Sequence, residues 1–121
     1  MAKIHPITEN HLFSKVYAKG KKVSENNVVV YALKNFRTEE TRLGITTGKK
    51  IGNAVRRSRA RRLIREAYRS VTTQRDFRRP YLIVVVARCA IVDPKRKMGE
   101  VSCDLERAFR KLDLWEKDEE E

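Results

Sequence analysis

Little in this chain is suited to catalysis. Its two cysteines, Cys89 and Cys103, stand apart without metal-ligand spacing, which points to a reduced, cytoplasmic chain in which both are semi-buried. Its two histidines, His5 and His11, have no cysteine or carboxylate spaced to share a metal, and they read as solvent-facing. No Gly-x-Ser-x-Gly elbow occurs. The acids that could pair are mostly Glu39-Glu40 and the C-terminal run, so the clustered carboxylates of a metal-dependent protein nuclease are missing. No apolar run approaches the roughly 20 residues needed to cross a bilayer, the N-terminus lacks a signal-peptide apolar stretch, and there is no internal repeat.

What the chain has is positive charge. Its 121 residues carry 28 Lys or Arg against 16 Asp or Glu, a net charge of +12. That length suits one domain with one real core. The charge favours an anionic partner, nucleic acid ahead of an acidic membrane.

The densest stretch runs from Lys49 to Arg69. It holds nine cations, Lys49, Lys50, Arg56, Arg57, Arg59, Arg61, Arg62, Arg65 and Arg69, against one acid, Glu66. The pattern predicts a helix. Asn53 is suited to cap it, and Ala60, Leu63, Ile64, Ala67 and Val71 recur at helical spacing as one apolar stripe. At about 100° per residue, Ser58, Arg62, Arg65 and Arg69 lie opposite the stripe and Arg59 and Arg61 flank it. Arg56 and Arg57 fall in the first turn, nearer the apolar side, and project past the edge of the core.

Like charges at i,i+3 and i,i+4 destabilise a helix, so Arg62–Arg65–Arg69 and Arg57–Arg61–Arg65 suit no purely structural surface. A polyanion explains them, because a guanidinium grips phosphate with a flat fork. About six such contacts would give a log–log salt slope of roughly −5 on duplex-like nucleic acid. The stripe on the other face is aliphatic and core-like, without exposed Trp or Phe, which argues against a membrane. The lead-in Gly48-Lys49-Lys50-Ile51-Gly52 matches neither a Walker loop nor a dinucleotide fingerprint and reads as a local anion site.

In order, the chain predicts α-β-β-β-α-β-α, a single α+β domain over 1–115 with a sheet of about four strands. Thr8 caps a first helix over 9–19, stapled by Ile7 and Leu12 and stopped by Gly20. Its apolar face is Leu12, Phe13, Val16 and Tyr17, with one or both of the i,i+4 pair Phe13 and Tyr17 left partly exposed. The polar stretch 21–27 has room for a short strand over 22–24. A strand over 28–34 sets Val29, Tyr31 and Leu33 on one face and Val28, Val30 and Ala32 on the other. Both faces are covered, or one lines a groove. The next strand, 42–47, pairs with it as a hairpin. Then come a basic loop over 72–79, a fully buried strand over 81–87, and a loop over 88–97 with a turn at Asp93-Pro94. Gly99 precedes a last helix that points Val101, Leu105, Ala108, Phe109 and Leu112 inward. The acidic run 116–121 reads as a frayed, solubilising tail. The basic helix joins two neighbouring strands, a connection that is normally right-handed.

Lys49-Lys50-Ile51-Gly52-Asn53-Ala54-Val55, Arg57-Ser58-Arg59 and Arg61-Arg62-Leu63-Ile64-Arg65-Glu66 together resemble the signature of the bacterial ribonuclease P protein component. Phe13-x-x-Val16-Tyr17-x-x-Gly20, the Val29-Val30-Tyr31 strand, Arg42-Leu43-Gly44-Ile45 and the Leu105…Phe109-Arg110-Lys111 helix follow in the family's order, so the likeness covers nearly the whole chain. Ser58 stands where the family usually has asparagine. It keeps a hydroxyl but loses the amide's separate donor and acceptor.

The resemblance implies an accessory protein subunit, with no catalytic or metal-binding residue of its own. Its partner is a large catalytic RNA that uses Mg²⁺ to cut the 5′ leader from precursor tRNA. Arg57, Arg59, Arg61, Arg62 and Arg65, with Lys50 and Asn53 at the helix entrance, are implied to face that RNA. The rest of the stretch, Lys49, Arg56, Ser58 and Arg69, is assigned to the same contact. Phe13, Tyr17 and Tyr31 match the aromatic positions of a cleft for the single-stranded leader, where base stacking is worth about 1–3 kcal/mol. The family's crossover around the basic helix is left-handed, against the general rule. No membrane and no protein oligomer is implied. The residues alone leave a competing reading, a ribosome-associated structural RNA-binding protein, which would need no aromatic cleft.

Overall fold

The structure, a computed structural model, describes residues 4–116. Its elements are β1 (His5–Pro6), α1 (Asn10–Lys19), β2 (Lys21–Ser24), β3 (Val28–Lys34), β4 (Arg42–Thr46), α2 (Ala54–Gln74), β5 (Tyr81–Ala87) and α3 (Met98–Lys111). Short 3-10 turns occur at Lys49–Ile51 and Cys89–Val92. The fold is α+β as expected, but the sheet has five strands, in the order β1-β4-β5-β3-β2. The extra strand, β1, is two residues long and runs parallel to β4, with His5 beside Arg42. So short a segment has no periodicity to read.

The expected hairpin between β3 and β4 does not form. β5 lies between them, antiparallel to β3 and parallel to β4. Its composition explains this: Tyr81, Leu82, Ile83, Val84 and Val85 are all buried, and a strand apolar on both faces belongs at the centre of a covered sheet. β4 and β5 are the neighbouring strands that α2 joins, as expected.

The sheet is covered on both sides. Val28, Val30 and Ala32 of β3 and Ile83 and Val85 of β5 face α2 and α3, where Leu63, Ile64, Leu105 and Phe109 complete the larger core. On the opposite face Val16 of α1 meets Leu82 and Val84, with Phe13, Tyr31, Leu33 and Val86 packed around them. With ten residues, α1 is about 15 Å long and leaves part of that face half-exposed. At one end of the larger core Phe77 stacks on Trp115, ring centroids 5.0 Å apart, and Phe109 meets Trp115 edge-on. Burial there pushes the Tyr68 hydroxyl well above its ordinary pKa.

Several local expectations change. Glu9, not Thr8, precedes α1, and it makes no side-chain cap bond. Gly20 ends α1 through close approach rather than a left-handed turn: a Cβ there would stand 2.6 Å from the Val16 carbonyl oxygen and 3.0 Å from that of Ala32. α2 continues past Val71 to Gln74, taking in the first three residues of the expected loop; there the Thr72 and Thr73 hydroxyls donate back to the carbonyls of Tyr68 and Arg69 at 2.7 and 2.6 Å. Gly99 lies inside the first turn of α3, where the Glu100 carboxylate accepts the Lys97 N–H at 3.0 Å. Cys89 and Cys103 are exposed, not semi-buried, since neither points into a packed layer. Of the predicted acidic tail, residues 117–121 lie outside the described residues.

The β2–β3 turn is pinned to α3 by buried polar groups. Asn27 donates its backbone N–H and its side-chain amide to the Asp104 carboxylate, each at 2.8 Å. Glu25, with its side chain only 4% exposed, accepts from Arg107 at 3.0 Å and Lys111 at 2.9 Å. Burial alone would raise the Glu25 carboxyl, but the hydrogen bonds from Lys111 and Arg107 outweigh it and hold its pKa below the ordinary value. A depressed folded-state pKa contributes stability that is present above the unfolded pKa and lost as pH falls through the folded one. Urea midpoints followed from neutral pH downward should therefore drop in the acid range. Glu25→Gln should be less stable at neutral pH and show a shallower acid loss. Parallel acid profiles for the two proteins would contradict this assignment.

Candidate nucleic-acid interface

The basic helix begins as its sequence predicts. Asn53 caps α2, its Oδ1 accepting the Arg56 N–H at 3.0 Å. Gly52 just before it has φ 124°, and the Arg56 side chain packs 2.9 Å from where a Cβ would stand. Both conditions favour glycine. The buried stripe is Ala60, Leu63, Ile64, Ala67 and Val71, joined by Tyr68.

The arginines divide into two sets. Arg57, Arg59 and Arg61 are half-buried and turned back onto the protein. Arg57 donates through Nε and Nη2 to the Thr47 carbonyl at 3.2 and 3.0 Å. Arg61 donates to the Thr47 hydroxyl at 2.8 Å and to the Ser58 hydroxyl at 3.1 Å. Arg59 reaches the other way, to the carbonyls of Ile91, Asp93, Pro94 and Arg96 at 3.4, 3.2, 3.4 and 2.6 Å. These are the flank positions assigned to Arg59 and Arg61 by helical spacing. A guanidinium has five N–H donors, so a tied arginine keeps its charge and has donors to spare. Arg56, Arg62, Arg65 and Arg69 are exposed, with no side-chain partner among the described residues. Ser58 is also exposed, and its hydroxyl helps to set the Arg61 fork.

The aromatic residues gather on the opposite face of the sheet. The Phe13 ring lies flush on Gly44 of β4: a Cβ there would stand 2.5 Å from Phe13 Cε1. Tyr17 is 39% exposed; its hydroxyl is 2.8 Å from Thr46 Oγ1, and its ring meets Tyr31 edge-on with centroids 5.0 Å apart. Lys22, opposite Tyr31 in the β2–β3 register, holds its ammonium 6.0 Å from the Tyr31 ring centroid. The structure thus brings Tyr17 and Tyr31 together, while Phe13, half-buried like Tyr31, packs on Gly44.

Thr46, the partner of Tyr17, also lines a groove of about 710 Å³ with Val86, Lys49, Lys50, Arg88 and Cys89. Thr47, its neighbour, carries Arg57 and Arg61. Thr46 at the end of β4 and Thr47 just past it have partners on opposite sides of the sheet, so this one dipeptide joins the aromatic cleft to the arginine helix. Thr46, Thr47, Lys22 and Arg88 were not singled out from the sequence. Lys22 could have been found from the β2–β3 register; the other three carry no sequence signal of their own. Among the described residues, no group of three or more His, Cys, Asp or Glu gathers to hold a metal, and no helix is long and apolar enough to cross a membrane.

Known proteins resemble this chain in sequence and in fold. A family model described as ribonuclease P matches residues 1–113. The ribonuclease P protein component of Macrococcus caseolyticus is 46% identical over 115 residues, covering 91% of each chain. That of Bacillus velezensis is 34% identical over 117 residues, covering 97% of each. The solved RNase P protein of Staphylococcus aureus matches with a TM-score of 0.78 at 30% identity, over 94% of this chain and 100% of that one. That of Thermotoga maritima gives 0.72 at 25% identity, over 85% and 96%.

The two sets of arginines should behave differently on substitution. Arg59→Ala frees four loop carbonyls and should lower unfolding free energy by about 1–3 kcal/mol, whereas Arg65→Ala should change it by no more than about 0.5 kcal/mol. Urea denaturation of both variants checks this, and equal losses would contradict the division.

Proposed function

This chain belongs to the ribonuclease P protein family, and we propose that it acts as the protein subunit of that endoribonuclease. In this reading it binds the catalytic RNA and the 5′ leader of precursor tRNA in the cytoplasm. The observation that carries the proposal is the junction at Thr46-Thr47, which links an aromatic pair on one face of the sheet to the start of the arginine helix on the other. Arg62, Arg65 and Arg69, with Arg56 at the helix start and Lys49, Lys50 and Asn53 at its entrance, contact phosphates of the catalytic RNA. Arg57, Arg59 and Arg61, set in place by the loops they bind and, for Arg61, by Ser58, add their outward donors. Tyr17 and Tyr31 take bases of the single-stranded leader, whose stacking tolerates any sequence, with Phe13 as the third aromatic of the cleft. The Mg²⁺ of the reaction belongs to the RNA. In this reading the chain's part is to bind and orient.

Cleavage of a precursor tRNA at limiting Mg²⁺ by a bacterial ribonuclease P RNA, with and without this protein, tests the proposal. Strong stimulation with no cleavage by the protein alone is expected. Cleavage by the protein alone would overturn it, and RNA binding without stimulation would favour a ribosome-associated structural role. Within the holoenzyme, Tyr31→Ala should weaken precursor more than mature tRNA, and equal losses would remove Tyr31 from the leader cleft. Arg65→Ala should lower the salt slope of catalytic-RNA binding by about one unit; an unchanged slope would remove it from the phosphate contacts.

A further inference from the structure

The loop after β3 carries the most exposed large apolar side chain among the described residues, Phe36, at 88%. The loop itself is well tied. Asn35 is buried; its side-chain amide donates to the Thr38 hydroxyl at 2.7 Å and the Glu40 carbonyl at 2.9 Å, and its Oδ1 accepts the Arg37 N–H at 3.1 Å. The Asn35 N–H donates to the Pro80 carbonyl at 3.0 Å. The knot presents Phe36 to solvent although apolar surface lies beside it. Two grooves, of about 220 and 210 Å³, adjoin the ring. Leu33 and Leu114 line one, and Leu12 and Leu82 the other.

The rims are cationic. Lys15, Lys19, Lys21, Lys34 and Arg37 line the two grooves and have no acidic partner among the described residues; Glu9 is the one acid in either lining. The region is separate from the aromatic cleft. Leu12, Lys15 and Lys19 follow one flank of α1 at helical spacing, whereas Phe13 and Tyr17 follow the other, toward Thr46.

We infer that Phe36 is the stacking platform of a second RNA contact, in which an unpaired base lies on its ring and the surrounding cations take the flanking phosphates. That RNA is the occupant rests on the function proposed above. The unpaired state follows from the chemistry: a ring stacks on a base face only where that face is not already covered by its neighbours in a helix. A second copy of the chain fits poorly, because pairing would bring two cationic rims together.

The test uses the full chain carrying Tyr31→Ala, so that binding on the other flank of α1 does not mask the effect. The probe is an oligouridine of about ten nucleotides. Phe36→Ala should weaken its binding by roughly five- to a hundredfold, Phe36→Trp should restore it, and the new indole emission should change on binding. Affinity for a duplex RNA of the same length should stay within about twofold. An unchanged oligouridine affinity, or an equal loss on duplex, would overturn the inference. So would a concentration-dependent dimer in sedimentation that Phe36→Ala abolishes, which would assign the ring to a second copy. These readouts need no catalytic RNA, so they fail or succeed independently of the cleavage assay.

Discussion

Repulsion along α2 is the constraint around which this protein is built. Seven arginines lie on its 21 residues, and like charges one turn apart oppose the helix that carries them. Two devices offset the repulsion. The apolar stripe from Ala60 to Val71 is buried against the sheet and α3, and tertiary packing supplies most of a helix's stability. Arg57, Arg59 and Arg61 are turned onto carbonyl and hydroxyl oxygens of the adjoining loops. The remaining charge, on Arg56, Arg62, Arg65 and Arg69, stays exposed and unrelieved in the free protein. The feature that costs the free protein stability is therefore the one to which the proposed function assigns the RNA phosphates.

The same ties give the surface its shape. Arg59 holds the turn between β5 and α3, and Arg57 and Arg61 hold the exit of β4, so α2 cannot rotate without releasing both. On the other face of the sheet Gly44 lets the Phe13 ring lie against the β4 backbone, which places α1 so that Tyr17 reaches Thr46 and Tyr31. Thr46 and Thr47 stand between the two regions and point opposite ways. The aromatic cleft and the basic helix are thus positioned by one strand end.

Features set by local periodicity were legible in the sequence. The two faces of β3, the stripe and outer face of α2, the Asn53 cap and the family likeness all follow from residues close together in the chain. Features set by partner choice were not. The β3–β4 hairpin was the natural local expectation, yet β5 takes the place between them because it is the strand most in need of cover on both faces. β1 is too short to leave a pattern. Loop carbonyls are invisible in a sequence, so nothing there separates the tied Arg59 from the free Arg65. Ser58, read as a departure from the family's asparagine, turns out to orient Arg61 through its hydroxyl.

In the proposed function the leader lies on Tyr17 and Tyr31, beside the groove that Thr46 shares with Lys49 and Lys50. The two exposed cysteines provide a direct measurement, since Cys89 lines that groove and Cys103 lies on α3 beside the C-terminal part of α2. An iron chelate tethered to Cys89 in a Cys103→Ser protein, or to Cys103 in a Cys89→Ser protein, would generate hydroxyl radicals in the reconstituted holoenzyme with precursor tRNA. Leader cuts from Cys89 and none from Cys103 are expected. Leader cuts from Cys103, or from neither position, would contradict that placement.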